Sequence, residues 1–170
     1  MLLVVSGLPG TGKSAVAAAL AREMQGVHLS IDAVEDALLG AGLARDQTTG
    51  IAAYEAVRAA AEQNLLLGRL VIVDAVNDST AARRTWTNAA AATGAAVRFI
   101  VLDAPPEAEH QRRLANRARG LTHVAEPTWE EVQARAASFE PWDDGCVRIN
   151  SGQPVDAILR DIRATLGGSG

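Results

Sequence analysis

The stretch that decides the fold is Leu2-Leu3-Val4-Val5-Ser6-Gly7-Leu8-Pro9-Gly10-Thr11-Gly12-Lys13-Ser14. Its second half has the spacing Gly-x-x-x-x-Gly-Lys-Ser of a phosphate-binding P-loop. The glycines allow backbone conformations that turn N–H groups toward one anion, and the helix that follows adds the positive end of its dipole. Lys13 can then reach the β- and γ-phosphates of a nucleotide, and Ser14 can offer its hydroxyl to Mg²⁺. The stretch therefore predicts a nucleotide site at residues 7–14, with Lys13 also taking part in catalysis.

The residues on either side of the motif fit this interpretation. A P-loop needs a strand before it and a helix after it. Residues 2–5 form an apolar run typical of a buried strand, and residues 15–24 are rich in helix formers. Lys13 is the only lysine in a chain otherwise supplied with arginine, which indicates that a flexible ammonium group is needed at the phosphates. The alternative is a glycine-rich turn without a ligand, and both spacing and context argue against it.

Length and composition narrow the class of protein. The 170 residues, 48% of them hydrophobic, are enough for a single domain, 1–170, with a substantial core. A net charge of −4 disfavours nucleic acid as the partner. Cys146 is the only cysteine, so no intramolecular disulfide can form. The sequence shows no secretory leader and no long apolar run, so we expect a cytoplasmic protein without membrane contact.

Apolar runs alternate with helical segments along the chain. This alternation predicts parallel strands joined by right-handed crossovers, and the continuous apolar strands predict helices on both faces of the sheet. The predicted fold is therefore α/β with three layers. The strands are expected at residues 2–5, 27–31, 70–73, 96–102 and 146–149. The helices are expected at residues 15–24, 32–39, 51–67, 79–93, 105–117, 128–138 and 155–166, and a polar connection at 43–50.

Ligands bind at the carboxyl edge of such a sheet, where Asp32, Asp74 and Asn77 are expected beside the P-loop. Asp74 could hold Mg²⁺ through its water shell or orient the substrate, or it could be a helix-cap or turn residue. Asp32 could accept the proton of an attacking hydroxyl, or it could cap the helix that follows. Asn77 is expected to contact the substrate.

Arginines crowd the end of one predicted helix and the loop after it, namely Arg112, Arg113, Arg117 and Arg119. Arg113 and Arg117 are four residues apart and share a helix face. On a mobile lid of about 113–127 they could cover the nucleotide and stabilise the transferred phosphoryl group. The alternative is a solvated cationic helix end.

The sequence also supports predictions for the remaining polar and aromatic residues. Arg83 is expected to point into the acceptor cavity and its neighbour Arg84 into solvent. The histidines have no metal-ligand spacing, and we expect His28 to be packed and His110 and His123 to be exposed. The tryptophans are expected to pack in the core or under the lid.

Several segments match those of a known group of proteins: the P-loop, Ser30-Ile31-Asp32, Val73-Asp74-Ala75-Val76-Asn77, Arg83-Arg84-Thr85-Trp86, Arg113-Leu114-Ala115-Asn116-Arg117, Pro127-Thr128-Trp129-Glu130 and Glu140-Pro141-Trp142. On these segments the chain resembles the small P-loop kinases. That group includes chloramphenicol phosphotransferase, gluconate-kinase-like enzymes and the phage polynucleotide 5′-kinase domain. The chain is also similar to AAA-type ATP-binding, kinase-like proteins of actinobacteria.

The resemblance implies a five-stranded sheet of order 2-3-1-4-5 with ATP on the P-loop. It implies Asp32 as the general base, an arginine such as Arg113 near the adenine, and one such as Arg117 at the phosphates. The segment Asp32-Ala33-Val34-Glu35 departs from the group, because related kinases often carry an arginine at the fourth position that grips an acceptor phosphate. Glu35 reverses that charge and argues against a phosphorylated acceptor.

These observations predict a phosphotransferase that uses ATP (or GTP) and Mg²⁺ to phosphorylate a hydroxyl of a small metabolite or antibiotic. Its predicted substrate residues are Asp32, Glu35, Asn77 and Arg83. Two alternatives remain open: a nucleotide-binding regulatory ATPase and a 5′-polynucleotide kinase, the latter disfavoured by the net charge and by Glu35. The sequence leaves the acceptor, the nucleotide preference and the oligomeric state open.

Overall fold

The structure, a computed structural model, describes residues 1–117, 120–142 and 145–167. Arg119, one of the arginines of the predicted lid, lies outside the described residues. The strands are β1 (Leu2–Ser6), β2 (Val27–Ser30), β3 (Val71–Asp74), β4 (Val97–Asp103) and β5 (Cys146–Asn150). The helices are α1 (Lys13–Glu23), α2 (Ile31–Gly40), α3 (Gln47–Leu66), α4 (Thr80–Thr93), α5 (Glu107–Ala115), α6 (Trp129–Ser138) and α7 (Val155–Gly167).

The strands form one parallel sheet in the order β2-β3-β1-β4-β5. In the centre, Leu3 of β1 is in register with Ile72 of β3 on one side and with Arg98 of β4 on the other. β2 pairs with β3 and β5 with β4, both in parallel. The predicted α/β class and the order 2-3-1-4-5 are confirmed, and the fold is that of a P-loop NTPase.

Apolar clusters cover both faces of the sheet, because alternate residues of β1 point to opposite sides. Leu3 belongs to a cluster with Leu20 of α1 and Ile162 of α7. Leu2 belongs to a second cluster with Trp86 of α4. With both faces covered, the strands read as continuous apolar runs, and the polar residues that follow them collect at one edge. In the described parts of the chain, no helix has the length and apolar character needed to cross a membrane.

The start of α3 and the end of α5 differ from the prediction in ways that bear on the site. α3 begins at Gln47. Residues 47–50, which were predicted to belong to a polar connection at 43–50, are therefore helical, and that part of the prediction is wrong. The helix starts there because the Asp46 side chain accepts a hydrogen bond from the Thr49 N–H at 3.0 Å, which caps it. α5 ends at Ala115, so Arg117 lies just beyond the helix and not within it.

Candidate active site

The P-loop forms the turn between β1 and α1, and close neighbours require glycine at two of its positions. Gly7 has φ +144°, and a Cβ there would lie 2.7 Å from a carbonyl oxygen of β4. Gly10 has φ +88°, and a Cβ there would lie 2.9 Å from the ring of His110. Lys13 begins α1, and its Nζ donates to the carbonyl oxygen of Leu8 at 3.0 Å. The lysine is therefore held at a helix N-terminus, where an anion is favoured.

Asp74 ends β3 directly beside the P-loop. Its Oδ2 accepts a hydrogen bond from the Ser14 hydroxyl at 2.7 Å, and its Oδ1 lies 2.5 Å from Nε2 of His28. Ser79 is the N-cap of α4, so the helix-cap alternative for Asp74 is wrong. A hydroxyl and a carboxylate at this separation are oxygen ligands that Mg²⁺ prefers. Ser14 and Asp74 therefore fit the chemistry of the predicted magnesium site.

Asp32 lies in the first turn of α2, and the N-cap of that helix is Ser30. The alternative that Asp32 caps the helix is therefore wrong. Its carboxylate is 31% exposed, and Oδ2 lies 4.0 Å from Nη2 of Arg117. Arg117 also donates from Nη1 to Glu126 at 3.0 Å. The structure thus brings the predicted base and one predicted lid arginine together.

A cavity of about 360 Å³ opens between the P-loop and the end of α5. Its lining includes Gly10, Gly12, Lys13, Ser14, Arg113 and Arg117. Arg113 is fixed there, because Nε donates to Glu109 at 2.7 Å and Nη1 donates to the carbonyl oxygen of Ser151 at 2.7 Å. The guanidinium groups of Arg112 and Arg113 lower the pKa of Glu109 to about 2. Both predicted lid arginines therefore lie on the cavity wall opposite the P-loop.

Residues 122–124 of the predicted lid lie against α2. One carboxylate oxygen of Asp36 accepts hydrogen bonds of 2.6 to 2.9 Å from three successive backbone N–H groups, those of Thr122, His123 and Val124. These bonds, with that from Val124 first, lower the pKa of Asp36. Arg45 donates to the carbonyl oxygen of His123, and the His123 side chain is exposed as predicted. The described part of the lid is therefore docked on the helix that carries Asp32.

Asn77, which was expected to contact the substrate, is 0% exposed. Its Nδ2 donates to Oγ of Ser6 at 2.8 Å, and its Oδ1 accepts from Nε1 of Trp86 at 2.8 Å. The residue has φ +54°, a left-handed conformation that asparagine adopts more readily than most residues. Asn77 thus joins the end of β1 to α4 and does not line the P-loop cavity, which corrects the expectation of a substrate contact.

Arg83, which was expected in the acceptor cavity, instead holds a neighbouring segment of backbone. It donates to the carbonyl oxygens of Pro141, at 2.6 Å, and of Glu140. Its Nε donates to the carbonyl oxygen of Asn77 at 3.1 Å, and its guanidinium lies 4.1 Å from the ring centroid of Trp142. Arg83 is therefore a buried scaffold residue, which corrects the expectation of a substrate contact.

Three residues near Asp32 were missed by the sequence analysis. Arg135 of α6 forms an ion pair of 3.5 Å with Asp78, which precedes α4. Burial raises the pKa of Tyr54 on α3, and the nearby charges of Asp78 and Asp32 raise it further. These groups therefore share one region with Asp32. They come from separate parts of the chain, namely α3, the connection before α4, and α6, so no short motif in the sequence could have grouped them.

His110 is 3% exposed, so the prediction that it is exposed is wrong. It lies on the inner face of α5, where Leu114, one turn later, is also buried. Its Nε2 lies 2.6 Å from the carbonyl oxygen of Pro9 in the P-loop. The spacing of His110 and Leu114 was a sequence signal for the buried face, although it could not identify the partner.

Most of the chain matches one known sequence family. Residues 2–141 match the model of an AAA domain family, AAA_33. The chain belongs to this AAA domain family. No curated protein sequence matches it significantly. The narrower resemblance of this AAA domain to chloramphenicol phosphotransferase and polynucleotide kinase stays a prediction.

Solved kinase structures share the fold of this AAA domain. A sugar kinase from Janibacter sp. has a TM-score of 0.73 and 18% identity over 99% of this chain and 95% of its own. The APS kinase from Mycobacterium tuberculosis, in complex with AMPPNP and APS, has a TM-score of 0.74 and 19% identity over 98% and 97%. A gluconokinase from Sinorhizobium meliloti has a TM-score of 0.68 and 20% identity over 97% and 90%. At these identities the likeness establishes the fold, and the named substrates are those of the neighbours.

Proposed function

We propose that this AAA domain protein is an ATP- and Mg²⁺-dependent kinase that phosphorylates a hydroxyl of a small metabolite or antibiotic. The observation that carries the proposal is the position of Arg117, which lines the P-loop cavity and lies 4.0 Å from Asp32. A carboxylate beside a phosphate-binding arginine is what transfer to a hydroxyl needs and nucleotide binding alone does not. The kinases that share the fold support the same class of reaction.

The P-loop and the lid arginines hold the nucleotide, which is ATP or GTP. Backbone N–H groups of the P-loop bind the phosphates, and Lys13 balances their negative charge. Arg113, fixed by Glu109 and by the Ser151 carbonyl, forms the wall on the adenine side. Mg²⁺ bound near Ser14 and Asp74 would add positive charge at the phosphates.

Asp32 is the general base of the proposed transfer. It accepts the proton of the acceptor hydroxyl while the hydroxyl oxygen forms a bond to the γ-phosphorus. The bond from that phosphorus to the β–γ bridging oxygen breaks, so the products are a phosphate ester and the nucleoside diphosphate, with the proton on Asp32. Arg117 and Lys13 stabilise the negative charge on the transferred group.

Three carboxylates, those of Asp32, Glu35 and Asp78, lie in this region with two guanidinium groups, those of Arg117 and Arg135. Asp78 and Asp32 lie near enough to Tyr54 to help raise its pKa, and Glu35 follows Asp32 by one turn of α2. A negative region repels a phosphorylated compound and attracts an amine. The carboxylate of Asp36, by contrast, is engaged by the lid. We therefore propose an acceptor that is uncharged or cationic, with Asp32 and Glu35 as its contacts.

The base is tested by Asp32→Asn, with Asp156→Asn as the matched control. Asp156 is also an aspartate in the first turn of a helix, α7, and it is exposed. Asp32→Asn should lower turnover by about 10²–10⁴, the range for loss of a general base, while Mg·ATP affinity measured by calorimetry stays within about threefold. The control should match the wild type in both measurements. Wild-type turnover in Asp32→Asn would exclude Asp32 as the base.

A further inference from the structure

His110 joins the P-loop to the helix that follows the lid. Its ring lies under Gly10, with Nε2 2.6 Å from the carbonyl oxygen of Pro9. On its other side the ring meets Trp129 edge to face, with the two centroids 5.2 Å apart. The residue is 3% exposed. No step of the proposed reaction uses it, so its position between these elements needs an explanation of its own.

The hydrogen bond to Pro9 has a fixed direction. A carbonyl oxygen can only accept, so Nε2 of His110 carries the proton and donates it. The carbonyl of Pro9 and the N–H of Gly10 belong to one planar trans peptide unit and point in opposite directions. Holding the carbonyl toward His110 therefore turns the Gly10 N–H away from it. Gly10 lines the nucleotide cavity, so this N–H is one of the donors available to a phosphate.

The contact with Trp129 connects the same histidine to the lid. Trp129 is the first residue of α6, whose start is fixed by a capping box between Thr128 and Glu131. Just before this cap, Glu126 accepts a hydrogen bond from Arg117. A change in the P-loop peptide can therefore reach the base of the lid through one ring.

We propose that His110 is a positioning residue that sets the orientation of the Pro9–Gly10 peptide for phosphate binding and couples it to Trp129. The inference rests on the proposed binding of ATP to the P-loop. It assigns the effect of His110 to nucleotide binding more than to the transfer step, because the peptide it orients contacts the bound phosphates in every state of the reaction.

The variants His110→Gln and His110→Leu separate the hydrogen bond from packing. Glutamine keeps an N–H donor at a similar reach, whereas leucine fills the space without one. His110→Leu should raise KM for Mg·ATP by about tenfold, the size expected for one buried hydrogen bond, with kcat within about threefold of the wild type. His110→Gln should restore most of the affinity. Gln111→Leu makes the same kind of change at an exposed position of α5 and should leave KM unchanged.

A second readout is the fluorescence emission of Trp129. Addition of Mg·ATP should change the tryptophan emission of the wild type, and Trp129→Phe identifies the part that comes from this residue. In His110→Leu, saturating Mg·ATP should no longer produce that part. A merely structural role would lower the unfolding midpoint and leave both KM and this emission change as in the wild type.

Two results would overturn the inference. One is a KM for His110→Leu within twofold of the wild type, and the other is a His110→Gln variant as weak as His110→Leu. Nitrogen NMR of the wild-type protein tests the geometry without ATP and without a variant, because it reports which ring nitrogen carries the proton. A proton on Nε2 supports the inference, and a neutral ring with its proton on Nδ1 contradicts it. A wild-type protein that fails to bind Mg·ATP would contradict the proposed function and leave this NMR result to decide on the geometry of His110.

Discussion

The proposed nucleotide end of the site and its proposed acceptor end are built in different ways. The nucleotide end comes from one continuous stretch, residues 7–14, and the sheet register places Asp74 beside it. The acceptor end takes Asp32, Tyr54, Asp78 and Arg135 from α2, α3, the connection before α4, and α6. A continuous loop is held by its own backbone, whereas scattered residues depend on the packing of several helices. Substitutions should therefore act locally at the first end and through the scaffold at the second.

The largest effect is expected at the nucleotide end. Lys13→Ala should weaken Mg·ATP binding and lower turnover by at least about 10²–10³, the range for loss of one positioned group at the transition state. Lys13→Arg should be inactive as well, because a planar guanidinium does not replace a compact ammonium at a crowded phosphate. Turnover and calorimetry measure both effects. Activity of Lys13→Ala comparable to the wild type would contradict the assignment of the P-loop.

The next effect is expected in the scaffold of the acceptor end. Arg83→Ala should lower the free energy of unfolding by about 2–3 kcal/mol, because the carbonyl oxygens that it binds lose their partner. Arg84→Ala, the next residue on α4 and exposed, should leave it nearly unchanged. Denaturant titration of the two variants gives the comparison. Equal stability, with a loss of acceptor affinity in Arg83→Ala alone, would return Arg83 to the substrate site.

A smaller effect is expected at the lid. Asp36→Asn removes the negative charge that three backbone N–H groups share, so amide exchange at Thr122, His123 and Val124 should become about tenfold faster, the size expected for weakened charge-assisted bonds. Asp161→Asn, an exposed aspartate on α7, serves as the control. Unchanged exchange in Asp36→Asn would show that the carboxylate does not hold the lid.

The same carboxylate fixes the pH dependence of lid docking. The pKa of Asp36 is lowered from its ordinary value of 3.8. A lowered folded-state pKa contributes stability that is fully present above the ordinary value and is lost as the pH falls through the lowered one. Exchange at the three lid amides, corrected for intrinsic rates, should therefore stay constant from neutral pH down to about pH 5. Loss of protection near pH 6 would contradict the role of Asp36.

The fold and the nucleotide end could be predicted from the sequence because local patterns determine them. Continuous apolar strands and the P-loop spacing each depend on residues close together in the chain. The strand order was implied by the resemblance to small P-loop kinases, and the structure confirms it. The start of α3 was missed because its cap, Asp46, precedes a polar stretch that lacks helical periodicity.

The proposed acceptor end could not be predicted in the same detail. The sequence shows which residues are polar, but it does not show which groups their side chains contact. Asn77 and Arg83 follow β3 as a substrate residue would, yet the side chains of both form hydrogen bonds within the protein. Asp32 illustrates the opposite case, since Ser30 takes the cap position and the Asp32 carboxylate lies 4.0 Å from Arg117, which lines the P-loop cavity. Which polar residue faces a ligand depends on long-range packing, and only the folded structure supplies it.

The central claim is transfer of phosphate to a small hydroxyl compound, and the fate of the γ-phosphate tests it most directly. Wild-type protein would be incubated with Mg²⁺ and γ-labelled ATP, together with either a panel of uncharged and cationic hydroxyl compounds or a 5′-hydroxyl oligonucleotide. We predict label in a small hydroxyl compound and its loss in Lys13→Ala and Asp32→Asn. Label in the oligonucleotide with none in the small compounds, or label that persists in Lys13→Ala, would contradict the account.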